Sequence, residues 1–95
     1  MIAVSQSGYA VVWRNETGLA LNPRTGQPFK YGLVGSADIL GILRNGKFLA
    51  LEIKTGNAKQ RQQQKNFEAM VIRMGGVYAV VHSVEEALEV VKRNS

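Results

Sequence analysis

The sequence predicts an α/β domain built on a mixed sheet. Three observations carry that prediction. Two apolar runs meet at Asn45-Gly46, as in a β-hairpin. A stripe with helical spacing, Phe67, Met70, Val71 and Met74, follows the second run. A third apolar run, Val77 to His82, comes after that helix, so the Lys54–Val77 crossover is long enough to make it parallel to the run before.

Taken in order, Tyr9–Arg14 (YAVVWR) is a strand on its β-branched and aromatic content. Asn15–Gly18 is a turn and Leu19–Leu21 a short extended piece. Asn22–Pro28 (NPRTGQP) is a loop on its proline and glycine, and Phe29–Val34 is extended, with Gly32 and Gly35 giving backbone freedom. The hairpin strands span about 37–43 and 47–55. Asn57-Ala-Lys-Gln60 resembles a helix cap with a reciprocal glutamine, opening a helix that runs to about Met74 and stops at Gly75-Gly76. After the Val77–His82 strand, Ser83-Val-Glu-Glu86 is a capping box for a last helix to about Arg93, with Leu88 and Val91 facing inward.

The 95 residues suit one domain, and 45% of them are hydrophobic. A domain of this size buries only roughly 60–65% of its unfolded surface, so association with a second copy would help it. No cysteine occurs, which excludes disulfides, thiolate metal sites and a cysteine nucleophile and fits a reducing compartment. No apolar run approaches the roughly 18 residues of a membrane span, and MIAVSQSG lacks the charged start of a signal peptide. Twelve Lys and Arg against seven Asp and Glu give a net charge of +5, a balance that favours polyanions such as nucleic acid.

The chemistry sits in the hairpin. Side chains alternate along a strand, so Glu52 and Lys54 share one face, with Leu49, Leu51 and Ile53 on the other. A two-residue turn at Asn45-Gly46 would set Asp38 opposite Ile53, on the face away from Glu52. A three-residue turn, Arg44-Asn45-Gly46 with Gly46 left-handed, sets Asp38 opposite Glu52. Two facing carboxylates repel unless a cation lies between them. Two acids and the Ile53 carbonyl are hard oxygen ligands suited to Mg²⁺ or Mn²⁺. Lys54, two residues on, can orient an attacking water and offset charge developing on a phosphate. The three-residue turn, or an equivalent bulge, is therefore the expectation.

These residues carry a family resemblance. GLVGSADILGI, LEIKTGNAKQRQQQKNF and MGGVYAVVHS, with the upstream WRNETG, resemble the VRR-NUC branch of the PD-(D/E)XK nucleases, most closely its short stand-alone phage and prophage forms. The resemblance spans about residues 9–90. It implies a restriction-endonuclease-like sheet flanked by helices and a cytoplasmic, metal-dependent DNA endonuclease acting as a homodimer on branched DNA such as a Holliday junction. Asp38 and Glu52 resemble the metal-binding acids, Lys54 the catalytic lysine and Gln64 the glutamine on the next helix. Independently of the resemblance, Gln60, Gln64, Phe67 and Val71 follow one helical stripe, so Gln64 should look into the site while Phe67 anchors the helix. The family often adds an acid on an N-terminal helix. Only eight residues precede Tyr9 here and none is acidic, so that ligand is absent or replaced by Glu16 or water.

Two other functional classes stand beside the nuclease: a basic nucleic-acid-binding module with a vestigial site, and an interaction domain of a larger assembly. The single histidine, His82, is too little for a His-based triad and is expected to make an ordinary strand-end hydrogen bond. Arg14, Arg24, Lys30, Lys59, Arg61 and Lys65 are candidate phosphate contacts, and Arg61 and Lys65 one turn apart form a candidate ridge. Trp13 is expected in the core of its strand.

Overall fold

The sheet forms where the sequence alternates between two apolar faces. In the computed structural model the order is α1 (Ile2–Gln6), β1 (Ala10–Arg14), β2 (Gly18–Leu21), β3 (Pro28–Tyr31), β4 (Ile39–Leu43), β5 (Phe48–Ile53), α2 (Gln62–Arg73), β6 (Val77–Val81) and α3 (Val84–Asn94). The structure describes every residue except Met1, 16–17, Asn22, 32–35 and 57–58; for Ile2, 18–21 and 28–31 it describes the backbone alone. Glu16, Gly32, Gly35 and the proposed cap residue Asn57 thus lie outside the described residues.

Four strands pair in the order β1-β4-β5-β6, and β2 and β3 pair as a separate antiparallel hairpin. β1–β4 and β4–β5 are antiparallel, and β5–β6 is parallel across the α2 crossover. The register of the central hairpin follows the three-residue turn: Ile42 faces Phe48 and Ile39 faces Leu51. The Leu43 N–H donates to the Lys47 carbonyl at 2.9 Å, and Gly46 adopts φ +89°, a value that suits a residue without a Cβ.

Helices cover both faces. Leu49 and Leu51 pack with Ile39, Leu43 and Val81 against Val4 of α1 and Ala87, Val90 and Val91 of α3. On the other face Ala37 and Ala50 lie beneath Phe67 and Val71 of α2, with Leu40, Met70 and Tyr78 partly buried around them. This is why β5 is apolar on alternate residues of both faces. No helix among the described residues is long and apolar enough to cross a membrane.

Several boundaries differ from expectation. Residues 2–6 form α1, a single turn too short to show a period, yet Val4 is fully buried. Lys59 and Gln60 are not helical; α2 starts at Gln62, and its first turn is closed by the Gln64 Oε1, which accepts from the Arg61 N–H at 2.8 Å. At the other end Gly75, at φ +88°, donates to the Ile72 carbonyl and Gly76 to the Val71 carbonyl, the paired bonds of a Schellman ending. Met74 therefore falls at the cap and is exposed rather than buried. Ser83 caps α3 through the Glu86 N–H at 3.1 Å, but the Glu86 carboxylate reaches back to the His82 N–H, one residue earlier than a capping box requires. Trp13, expected in the core, is half exposed.

Candidate active site

The register that closes the hairpin also builds a polar row. Extending the β1–β4 and β4–β5 pairings by one position sets Asn15, Asp38 and Glu52 side by side at one end of the sheet, on the α2 face. Asn15 fixes the middle of the row. Its N–H donates to the Asp38 carbonyl at 2.8 Å, and its side-chain Nδ2 donates to Ser36 Oγ at 2.6 Å and to the Ala37 carbonyl at 2.9 Å. Two of these bonds hold the backbone at Ala37 and Asp38, and the third holds the Ser36 hydroxyl beside it. The sequence marks Asn15 as a turn residue; its place in the WRNETG segment that carries the resemblance was the available signal.

Asp38 is exposed, and its Oδ2 accepts from the Ile53 N–H at 2.9 Å. The next residue, Lys54, donates its N–H to the Val81 carbonyl of β6 at 3.0 Å. Successive residues of a strand point their amides to opposite sides, and the N–H and C=O of one residue point the same way. The Ile53 carbonyl therefore points toward β4 and Asp38.

Glu52 is only 3% exposed. Its Oε1 accepts from Gln64 Nε2 at 3.1 Å and lies 3.9 Å from Lys54 Nζ, while its Oε2 is buried with no hydrogen-bond partner. Burial raises the carboxyl first, and Asp38 raises it further, both by sharing a hydrogen bond with the protonated form and by its charge; Lys54 opposes them. The result is a pKa pushed up to about 7. The second carboxylate oxygen, Oε2, is thus left buried beside Asp38 without a donor.

Gln64 links the remaining parts. Its Oε1 accepts from Lys54 Nζ at 3.1 Å and from the Arg61 N–H, and its Nε2 donates to Glu52. Two donors on one side and a carboxylate on the other determine the amide orientation. Gln64 enters the site from the first turn of α2, while Phe67, one turn later, packs into the core, as its ring against Tyr78 shows (centroids 6.2 Å apart, planes at 62°). Gln60 lies outside the helix and donates instead to the Tyr78 hydroxyl at 3.0 Å. Burial is the main reason the Tyr78 hydroxyl is pushed up to about 12.

The structure thus brings Asp38, Glu52, Ile53, Lys54 and Gln64 together at one end of the sheet. His82 is apart from them; its Nδ1 lies 3.1 Å from Glu86 Oε2 in an exposed pair, the ordinary strand-end bond expected of it. Arg61 and Lys65 are exposed on the first turn of α2 beside Gln64, and Arg14, Arg24 and Lys59 are also exposed. No acid lies on α1.

Among the described residues no group of three or more His, Cys, Asp and Glu side chains gathers. Two carboxylates and one carbonyl still suit a hard divalent cation, because Mg²⁺ commonly takes one or two carboxylates and keeps several waters. The buried, unpartnered Glu52 Oε2 is the observation that fits such an ion. Two carboxylates and one ammonium carry a formal net charge of −1, which a divalent cation and a phosphodiester monoanion together would bring to zero.

The fold and this cluster define a mixed α/β domain with a paired-carboxylate, lysine and glutamine site at the end of its central hairpin. Compared with models of known protein families, the chain matches none, and no curated protein is significantly similar to it.

Proposed function

We propose that the chain is a metal-dependent endonuclease that hydrolyses DNA phosphodiesters, with a restriction-endonuclease-like arrangement of the VRR-NUC kind. One observation carries this reading. A register-specified pair of acids, Asp38 and Glu52, faces across the hairpin with a buried carboxylate oxygen left without a partner.

Asp38, Glu52 and the Ile53 carbonyl would hold Mg²⁺ or Mn²⁺. The ion supplies Lewis-acid neutralisation of phosphate charge. The Lys54 ammonium, tethered by Gln64 and Glu52, orients the attacking water and offsets the charge that grows on the phosphate oxygens as the water attacks in line. Gln64 bridges that ammonium and Glu52, its Oε1 accepting from the one and its Nε2 donating to the other. Bulk water takes the proton that the attacking water gives up and protonates the leaving oxygen. Arg61 and Lys65, exposed beside Gln64, suit contact with flanking phosphates. Two such sites in a homodimer would cut opposing strands, which suits a branched substrate such as a four-way junction.

The lack of an acid on α1 and the net charge of +5 favour a second reading, a nucleic-acid-binding module with a vestigial site. Incubating a labelled four-way junction and a plain duplex with Mn²⁺, with Mg²⁺ and with EDTA separates the two. The nuclease cuts only with metal, and Lys54→Ala abolishes cutting while DNA binding remains. Binding without metal-dependent cutting supports the module, and no binding at low salt contradicts both.

A further inference from the structure

The polar row of the site ends at the edge of the sheet, and an aromatic ring stands beside it there. β1 is the edge strand in the order β1-β4-β5-β6. By register Trp13 pairs with Leu40 and Leu40 with Ala50, so the indole lies on the α2 face, one row in from Asn15, Asp38 and Glu52. Trp13 is diagonal to Asp38, which sets their Cα atoms about 7–8 Å apart. α2 packs over Leu40, Ala50 and Tyr78, on β4, β5 and β6. β1 lies outside that cover. Trp13 is 47% exposed, while Val12, which faces the other way, packs against the opposite core. Much of the ring is therefore flat apolar surface in water, a short way from two acids.

We propose that Trp13 stacks on an unstacked DNA base one or two nucleotides from the scissile phosphate, so that a break in base stacking is what the site selects. Three arguments support that ligand. The first is spacing. A stacked strand advances about 3.4 Å per nucleotide, so two nucleotides cover the distance from Asp38 to Trp13. The second is charge. A nucleotide is anionic at its phosphate and flat and apolar at its base. The site has the same polarity: Arg61 and Lys65 are exposed on the first turn of α2, beside Gln64 at the Glu52 end of the row, and the indole stands at the Asn15 end. A strand laid across the row sets its phosphates toward the cations and its bases toward the ring.

The third is energy. Inside a duplex both faces of a paired base are already stacked. Extruding such a base costs at least as much as stacking on one aromatic ring returns. The indole therefore does not flip a base out. It takes one that is already free, at a flap, a gap or an open branch point. The place of that base beside a scissile phosphate rests on the nuclease reading; the stacking needs only DNA on this face.

Trp13 is the only tryptophan in the chain, so its emission reports the contact without a label. The probes are a duplex with a short single-stranded flap, the same flap with one abasic site moved along it, and the plain duplex. Each is titrated into the wild-type protein in EDTA at low salt. The expected result is quenching by the flap, none by the plain duplex, and recovery of emission at one abasic position. That position should also weaken binding by roughly 5–100-fold, the range for losing one base–aromatic stack. Trp13→Ala should weaken binding of the intact flap by the same factor and bind the abasic flap as wild type does, whereas Trp13→Phe should keep most of the affinity. With Mn²⁺, cutting should map one or two nucleotides from the sensitive position. Unchanged emission on flap binding, equal quenching by the plain duplex, or a flat abasic scan overturns the proposal, and none of these needs a variant that folds. So does Trp13→Ala weakening intact and abasic flaps alike, the mark of a structural role. Quenching that persists while Mn²⁺ yields no cutting refutes the nuclease reading and upholds the stacking; cutting with a flat scan does the reverse.

Discussion

Replacing Glu52 by glutamine should make the metal-free protein more stable above neutral pH. In the folded chain the Glu52 carboxyl is raised from 4.5 to about 7, by burial and by Asp38. Between those values the unfolded chain has released the proton and the folded chain still holds it. Stability is therefore full below about pH 4.5, falls as pH rises toward 7 and is flat above. A shift of this size corresponds to a cost of at most about 3 kcal/mol once Glu52 ionises. Glutamine removes the charge, still accepts from Gln64 Nε2 through its carbonyl oxygen, and can donate its amide hydrogens to Asp38. Glu52→Gln should therefore gain about 2–3 kcal/mol at about pH 8, roughly 10–20 °C in melting temperature for a domain of this length. Near pH 5 the gap should shrink below about 1 kcal/mol. Adding Mn²⁺ at the higher pH should raise the melting temperature of wild type and leave the variant unmoved. Thermal melts at both pH values, with and without metal, decide it. A variant that melts below wild type at about pH 8, or by the same margin at both, would refute the clash between Glu52 and Asp38.

Lys54→Ala should eliminate cleavage and retain the Mn²⁺-induced rise in melting temperature, because Lys54 is not among the ligands; loss of both would place it in the metal site. Gln64→Ala removes the tether of Lys54 and the acceptor for the Arg61 N–H together, so junction cleavage should fall by roughly 10–100-fold and stability by about 1 kcal/mol, read by single-turnover kinetics and urea unfolding. Gly41→Ala should cost about 2 kcal/mol or more in urea unfolding, since a Cβ there would stand 2.5 Å from the Val11 carbonyl oxygen and 2.6 Å from Val12 Cγ1, forcing β1 away from β4.

The register of the central hairpin was legible once the two acids were taken to share a face. Only the three-residue turn puts Asp38 and Glu52 on one face, and Gly46 supplies the left-handed residue that turn requires. The parallel β6 and the end of α2 were legible for similar reasons, a crossover long enough to reverse and a glycine pair placed where a helix stops. The start of α2 was not. Its first turn is closed by the Gln64 side chain acting from inside the helix, so no Ser, Thr or Asp marks the boundary. α1 escaped because five residues cannot display a helical period, although its Val4 completes the core. Trp13 and Met74 were misplaced for one shared reason. Pattern shows which residues share a face, whereas how far α2 extends across that face depends on tertiary packing. Within the site, Asp38, Glu52 and Lys54 were visible as charged groups set among apolar residues, and Gln64 by its place on the stripe that Phe67 and Val71 continue. Asn15 was not, because its three bonds reach residues 36 to 38, more than twenty positions away.

The central claim is that one cation joins the facing acids of the hairpin, and crystals grown with Mn²⁺ test it most directly. The account predicts a single anomalous peak about 2 Å from a carboxylate oxygen of Asp38, a carboxylate oxygen of Glu52 and the Ile53 carbonyl oxygen. Absence of a peak at saturating Mn²⁺, or an ion held by one of the two acids alone, would contradict it.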